Sequence, residues 1–289
     1  MVLTYLIVGD EPSYYNQAVV YILAAHTKIT EEDTVVVLTD HPNQLKVLNS
    51  RILIISIDPD MIEEWKGDHH FFWRIKIEAL LHVASRFEGE DILYLDTDTV
   101  LYADLSPLKL VLNEGGNLMH TNEGALSKLA TKTERRMWEQ VKTKNYGSIS
   151  INQNDCMWNA GVVGISSKNI AQLTLALRIC DEMCADKVTR RLIEQLSLSL
   201  ALNSTIQLCA AEHVIGHYWS NKVQWESMIS LFVADCYQQC KPIEEQVQKV
   251  AQMNFNHLPI GLRIPNTQKR LKNIVARLFP DQNPTFIKR

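Results

Sequence analysis

The sequence predicts an α/β protein with a mostly parallel central sheet flanked by helices. Short apolar runs alternate with segments of helical periodicity, and each apolar run ends at polar or turn-forming residues. Hydrophobic residues make up 46% of the chain and charged residues 21%, which is an ordinary globular composition. With 289 residues, the chain is long enough to bury a substantial core.

The elements follow from these patterns in chain order. Uninterrupted apolar runs are typical of strands buried on both faces. Apolar residues spaced three or four apart, such as Phe72, Ile75, Ala79 and Val83, indicate a helix. Strands are predicted at residues 3–8, 34–39, 52–57, 92–95 and 160–165. Helices are predicted at residues 14–25, 43–49, 72–87, 133–143, 170–185, 190–203 and 226–255.

Charge and composition limit the classes of function. The formal net charge of -4 argues against a general nucleic-acid binder, which needs a basic face. The N-terminus lacks the basic start of a signal peptide, and no run reaches the roughly 18 apolar residues of a membrane span. We expect a cytoplasmic protein whose six cysteines are reduced structural thiols. The basic tail at 261–289 suits a solvated helical face or a peripheral contact with an anionic membrane.

Polar residues gather where the predicted strands end. Gly9 and Asp10 follow the first strand, Asp40 follows the second, and Asp96-Thr97-Asp98 follows the fourth. Ligands of open parallel sheets bind beyond the carboxyl ends of the strands. The sequence therefore predicts a ligand site at this edge of the sheet.

The most informative of these segments is Asp96-Thr97-Asp98. If the extended backbone continues, side chains alternate, and both carboxylates point the same way. Their mutual repulsion needs an offset, and a hard divalent cation with oxygen ligands supplies one. Such a cation can neutralise a diphosphate and make it a better leaving group. The alternative is a solvated turn whose acids cap the next element.

Several segments together resemble the GT-A nucleotide-sugar transferases. The nearest type is the retaining family 8, which includes glycogenin and bacterial lipopolysaccharide galactosyltransferases. The resemblance covers about residues 3–225. Its motifs are the helix at 74–80, the strand and acidic pair at 92–100, Asn159-Ala160-Gly161, Glu194-Gln195, and His217-Tyr218-Trp219 with Lys222.

The resemblance implies a GT-A domain at residues 1–225, followed by a helical appendage with a basic tail at 226–289. It implies Mn²⁺ or Mg²⁺ held by Asp96, Asp98 and His217. His213 is a rival ligand, because it keeps the family's His-x-x-Gly spacing. The donor would be a nucleoside-diphosphate sugar, with UDP as the expected nucleotide. The acceptor would be a glycan, a lipid or a protein, and the anomeric configuration would be retained. Neither the acceptor nor the oligomeric state follows from the sequence.

On the donor side, the resemblance assigns roles around the nucleotide and its phosphates. Asp10 and Tyr14 would contact the base and ribose, although Tyr14 also suits ordinary packing. Arg74 would contact a phosphate or the sugar. Lys76 lies two residues on, so the two cannot share a helix face, and one of them is expected to be solvated. The remaining donor-side candidates are Gly9, Thr97 and Lys222; a solvated lysine is the alternative for Lys222.

On the transfer side, the resemblance assigns the catalytic candidates. Asn159 would hydrogen-bond the sugar or acceptor, and Gln195 would lie beneath the anomeric carbon. Glu194 stands where the family has aspartate. An exposed first helical turn is the alternative for Glu194 and Gln195. Asp155, in a loop before a strand, is a further acidic candidate.

Two other functions fit part of the pattern. In a haloacid-dehalogenase-like phosphatase, Asp96 would be the nucleophile and Asp98 the acid/base. That motif normally opens its domain, whereas three predicted strands precede it here, and no late acidic pair completes a magnesium site. The other alternative is a protein that binds a nucleotide-sugar without turnover.

Overall fold

The computed structural model describes residues 1–48, 50–219, 222–253 and 255, and positions 267, 270, 271, 274, 275, 278 and 279. Among the described residues, no helix is both long enough and apolar enough to cross a bilayer. The six cysteines lie in this part of the chain and are free thiols.

The described residues form the five strands that the apolar runs predict, together with eight further short strands. In chain order, the strands are β1 (Val2–Ile7), β2 (Thr34–Thr39), β3 (Leu53–Ser56), β4 (Ile92–Leu95), β5 (Thr99–Leu101), β6 (Asn117–Met119), β7 (Asn122–Ala125), β8 (Asn145–Tyr146), β9 (Ile149–Ser150), β10 (Cys156–Trp158), β11 (Val162–Ile165), β12 (Cys209–Ala210) and β13 (Ile215–His217). The expected strands at 34–39 and 92–95 have the predicted bounds.

Six of the seven predicted helices are α-helical in the described residues, and two further helices, Pro59–Trp65 and Ser106–Asn113, have no counterpart among the predicted ones. In chain order, the helices are α1 (Pro12–Ala25), α2 (Pro59–Trp65), α3 (Arg74–Arg86), α4 (Ser106–Asn113), α5 (Lys132–Val141), α6 (Ala171–Ala185), α7 (Ile193–Leu202), α8 (Lys222–Gln238) and α9 (Ile243–Ala251). The predicted helix at 43–49 is instead a 3₁₀ helix at Pro42–Leu48, and the one at 226–255 is broken before Ile243. Pro242 explains that break, because proline cannot continue a helix from the preceding turn.

The central sheet has seven strands in the order β12-β6-β11-β4-β1-β2-β3. β1 is parallel to β2 and β4, β2 is parallel to β3, and β6 is parallel to β12. Among these described strands, only β11 is antiparallel to its neighbours, β4 and β6. The α/β class with a mostly parallel sheet, predicted from the sequence, is confirmed.

The sheet divides the apolar core into two layers. Along β2, Val35 and Val37 face the layer that contains α1, and Val36 and Leu38 face the layer that contains α3, α6 and α7. Both faces of the strand are therefore covered, which is why its sequence is apolar at consecutive positions rather than alternating.

Helices α8 and α9 pack against α1 in the same apolar layer. Trp225, Ile229 and Val250 are buried there. The Trp225 ring stacks on Tyr218, with 4.5 Å between ring centroids. These two helices thus share a core with the sheet, although the boundary at 225/226 stays a prediction. Most of the tail at 261–289 lies outside the described residues.

Candidate metal and nucleotide-sugar site

The acidic pair lies in a tight turn at the end of β4. The Thr99 backbone N–H donates to the Asp96 carbonyl at 3.1 Å, and the Thr99 hydroxyl donates to the same oxygen at 2.7 Å. The expected extended backbone through Asp98 is therefore wrong, since the chain turns before it enters β5. The turn nevertheless keeps the two carboxylates together, with an oxygen of Asp96 within 4.8 Å of an oxygen of Asp98.

His217 joins the two acids through strand pairing. β13 runs antiparallel to β5, with His217 opposite Thr99. Its Nε2 atom lies 3.2 Å from Oδ1 of Asp98. One ligand atom from each of Asp96, Asp98 and His217 lies within 4.8 Å of the others. The rival His213 is exposed in the loop before β13.

This donor set fits a divalent cation. Two carboxylates and an imidazole suit Mn²⁺, and carboxylates also suit Mg²⁺. Asp98 and His217 are both buried, so their polar atoms need partners that water does not supply. The third ligand is a histidine, in contrast to the all-acidic site expected of the phosphatase alternative.

Asp98 is the most strongly held of the three side chains. Its Oδ2 atom forms an ion pair with Nζ of Lys222 at 2.8 Å. Burial alone would raise the pKa of Asp98, but His217, when its ring carries a second proton on Nε2, and Lys222 lower it well below the ordinary aspartate value. The carboxylate is therefore ionised. Lys222 also stands at the start of α8, where the resemblance places a cation beside the donor phosphates.

Lys76 is buried and links Asp96 to α7. Its Nζ lies 3.2 Å from Oδ1 of Asp96 and 3.2 Å from Oε1 of Glu194. It also donates to the Ala160 carbonyl at 3.1 Å, and the Tyr94 hydroxyl donates to Oδ1 of Asp96 at 2.8 Å. Burial would lower the pKa of Lys76, but the two carboxylates raise it above the ordinary lysine value. Lys76 is thus a fixed cation, and neither it nor Glu194 is solvated.

Arg74 is not brought to the acidic pair. Its guanidinium pairs with Asp181 at 2.7 Å and with Glu78 at 2.7 Å, and it donates to the Trp65 carbonyl at 2.8 Å. Through the ion pair with Asp181, Arg74 therefore connects α3 to α6. The prediction that either Arg74 or Lys76 is solvated is wrong, because both are buried in ion pairs.

A carboxylate that sequence reasoning missed connects the transfer-side candidates. Glu123, on β7, accepts from the Asn159 amide at 3.2 Å and from the Gln195 amide at 2.9 Å. It lies between the strands predicted at 92–95 and 160–165, in a stretch where no strand is predicted, so no local signal singles it out. Asp155 does not join this group: it accepts from Asn152 at 2.9 Å and closes a local turn.

The nucleotide-side candidates lie at the end of β1. The Gly9 N–H donates to the Asp40 carboxylate at 3.0 Å, and Gly9 has φ +95°, a conformation that glycine adopts readily. Asp10 is exposed, and Tyr14 is 41% exposed. Tyr15, rather than Tyr14, is the buried aromatic and donates to the Gly9 carbonyl at 2.7 Å. Tyr14 is therefore the more exposed of these two tyrosines.

Thr97 lies at the tip of the turn. Its hydroxyl donates to Oε1 of Gln17, on α1, at 3.4 Å. Thr97 is half-buried, so it borders the acidic pair on the α1 side.

No protein-family model matches the chain, and no curated protein matches it. Among solved structures it is similar to the galactosyltransferase LgtC in complex with donor and acceptor sugar analogues. That match has 14% identity over 73% of each chain and a TM-score of 0.48. It is also similar to the apo form of the bifunctional glycosyltransferase WbbM, with 12% identity over 72% of this chain and 38% of that one and a TM-score of 0.49.

A third similar structure is the apo form of mouse xyloside xylosyltransferase 1. It has 11% identity over 73% of this chain and 85% of that one, with a TM-score of 0.47. All three are glycosyltransferases, the class that the sequence resemblance names. Because the identities and TM-scores are low, the functional proposal rests on the geometry of the site.

Proposed function

We propose that this protein is a metal-dependent glycosyltransferase of the GT-A type. It would move a sugar from a nucleoside-diphosphate donor, a UDP-sugar, to a glycan, lipid or protein acceptor. One observation carries the proposal: Asp96, Asp98 and His217 bring their ligand atoms within 4.8 Å at the carboxyl end of β4. This is the edge where open α/β sheets bind nucleotides.

The site supplies the groups that diphosphate departure requires. A bound Mn²⁺ or Mg²⁺ would offset negative charge on the diphosphate. Lys222, half-buried beside Asp98, adds a second positive charge at the same place. Gly9, Asp10 and Tyr14 lie at the end of the neighbouring strand β1, where we place the nucleoside.

Across the site, Gln195 and Glu194 form the sugar side. The Gln195 amide nitrogen donates to Glu123 at 2.9 Å. The amide oxygen is then the atom that we propose faces the positive charge developing at the anomeric carbon. Retention of configuration is part of this proposal, and product stereochemistry measured by NMR tests it. An inverted product would overturn it.

A donor-hydrolysis assay tests the reaction class. We expect Mn²⁺-dependent release of UDP from a UDP-sugar, with the sugar first chosen from a thermal-shift panel of nucleotide-sugars. Asp98→Asn should abolish release, while Asp68→Asn, which changes an exposed acid, should not. Cleavage of a simple phosphomonoester would instead indicate the phosphatase. Donor binding without turnover would indicate a binding protein.

We also propose a cytoplasmic location with peripheral contact to an anionic membrane. The described positions from 267 to 278 are helical, and Leu271, Ile274, Val275 and Leu278 are all exposed. Their spacing puts them on one helix face. Arg270 lies on the same segment, with further lysine and arginine residues in its sequence. An apolar face with basic residues suits the surface of an anionic bilayer.

Co-sedimentation with lipid vesicles tests this contact. The protein should bind phosphatidylglycerol vesicles, and binding should weaken as salt rises. Replacing Leu271 and Leu278 with aspartate should abolish binding. Equal binding to neutral phosphatidylcholine vesicles, or binding that survives the double substitution, would overturn the proposal.

A further inference from the structure

The side-chain amide of Asn159 has its orientation fixed from both ends. Its Oδ1 atom accepts the Gly161 backbone N–H at 3.0 Å. A backbone N–H can only donate, so the amide atom that faces it must be the oxygen. At the other end, Nδ2 donates to Oε1 of Glu123 at 3.2 Å. An ionised carboxylate can only accept, so both contacts require the same orientation.

This orientation determines where the proton lies on His217. Its Nδ1 atom is 2.8 Å from the same Asn159 oxygen. The oxygen cannot donate, so Nδ1 carries the hydrogen, and in the neutral imidazole the lone pair is on Nε2. Nε2 is the atom that faces Asp98.

Nε2 and Oδ1 of Asp98 are then two acceptors 3.2 Å apart. Such a pair is stable only with a positive species between the atoms, either a proton or a cation. Adjacent ligands of an octahedral ion with bonds of about 2.1 Å lie about 3 Å apart, close to this separation.

The backbone next to Asn159 makes room for the ring. A Cβ on residue 161 would lie 2.2 Å from Nδ1 of His217, which no real contact permits. On another side, His120 packs edge-on at 5.4 Å between ring centroids, and its Nε2 is held by the Ile215 carbonyl at 3.0 Å. The imidazole therefore has little freedom to rotate.

We propose that Asn159 is a positioning residue that fixes the tautomer and orientation of His217 for cation binding, with Glu123 holding the amide in place. The inference rests on the proposed metal site and assigns Asn159 a different role from the expected sugar contact. Both polar atoms of the amide are engaged within the protein. Partners behind a metal-bound histidine set its tautomer, and their loss typically lowers metal affinity about 10–100-fold.

Two measurements test this role without using activity. Mn²⁺ affinity is measured by electron paramagnetic resonance of the free ion, without donor. The tautomer of His217 is measured from long-range ¹H–¹⁵N spectra of the Mg²⁺-loaded protein, with His217→Gln identifying the signals. Asn159→Ala should lower Mn²⁺ affinity about 10–100-fold and give a mixture of tautomers.

A paired exchange of residues 159 and 123 tests whether the orientation of His217 can be restored. Asn159→Asp combined with Glu123→Gln keeps an acceptor toward His217 and a hydrogen bond between the two side chains. It should retain the wild-type tautomer and most of the affinity. Gln195→Ala, which removes the other partner of Glu123, is the matched control and should leave Mn²⁺ affinity unchanged.

The outcomes separate the two proposals. If the wild-type protein binds no Mn²⁺, the proposed function fails. If it binds Mn²⁺ and Asn159→Ala binds it equally well, only the role of Asn159 fails. If Asn159→Ala does not fold, the wild-type spectrum and the paired exchange decide. A proton on Nε2 in the wild-type spectrum, or loss of Mn²⁺ affinity in the paired exchange, would overturn the inference.

Discussion

Replacing Lys76 with methionine would test the buried ion pairs behind the acidic turn. Methionine keeps the unbranched apolar stem but removes the charge. The Lys76 ammonium lies 3.2 Å from a carboxylate oxygen of Asp96 and 3.2 Å from one of Glu194. Without it, two carboxylates share a buried region with no cation between them.

The size of the effect follows from burial. Removing one partner of a buried ion pair costs about 3–5 kcal/mol. The Asp96 side chain is 29% exposed, so water screens part of its charge, and we expect the lower end of that range, about 3 kcal/mol. For a domain of this size, each kcal/mol lowers the Tm by about 2–4 °C, so the Tm should fall by roughly 6–12 °C.

The stability lost in Lys76→Met should depend on pH in a definite direction. Burial raises the pKa of Glu194, and Lys76 opposes that rise in the wild-type protein. Without Lys76 the pKa rises further above its unfolded value. The folded variant then takes up a proton as the pH falls, so its lost stability should return on acidification through that raised pKa.

Urea unfolding followed by circular dichroism, in EDTA and at several pH values, measures this deficit. Lys128→Met, at an exposed lysine, is the matched control and should change stability by less than about 0.5 kcal/mol. Lys76→Met combined with Glu194→Gln should recover part of the loss, because it removes one uncompensated charge. A deficit that is the same at every pH and unchanged in the double variant would refute the reasoning.

Three further predictions concern the cation and its surroundings. Asp98→Asn should abolish Mn²⁺ binding in equilibrium dialysis while the protein stays folded; retained binding would place the cation elsewhere. Gly161→Ala should force the His217 ring aside, costing about 1–3 kcal/mol in urea unfolding and lowering Mn²⁺ affinity; unchanged affinity would show that the ring tolerates the added methyl. Arg74→Met should lower the free energy of unfolding by about 1–3 kcal/mol, because it breaks the ion pair with Asp181, and should leave Mn²⁺ affinity unaltered. If the variant instead lost donor affinity without losing stability, Arg74 would contact the donor.

The elements of the sheet could be predicted because their signals are local. β2 and β4 are continuous apolar runs with polar ends, and their bounds match the predicted ones. β5, β6, β12 and β13 were not predicted, since each is only two or three residues long. A segment that short has too few positions for any periodicity to show.

The candidate site divides in the same way. Asp96 and Asp98 could be identified because they follow a strand directly in the sequence. Lys76 rather than Arg74 reaches Asp96 because of the rotation of α3, which depends on how that helix packs. Glu123 had no signal, because its importance comes from two partners on other elements.

By itself, the sequence determined the alternation of strands and helices, the sheet edge where polar residues collect, and the acidic pair there. Apolar periodicity and strand ends are properties of neighbouring residues, so they can be read locally. Only the tertiary structure decided that the backbone turns at Asp96, that His217 rather than His213 stands beside Asp98, and that Asn159 faces its ring. Those contacts join residues far apart in the chain, and packing of the folded backbone alone sets their distances.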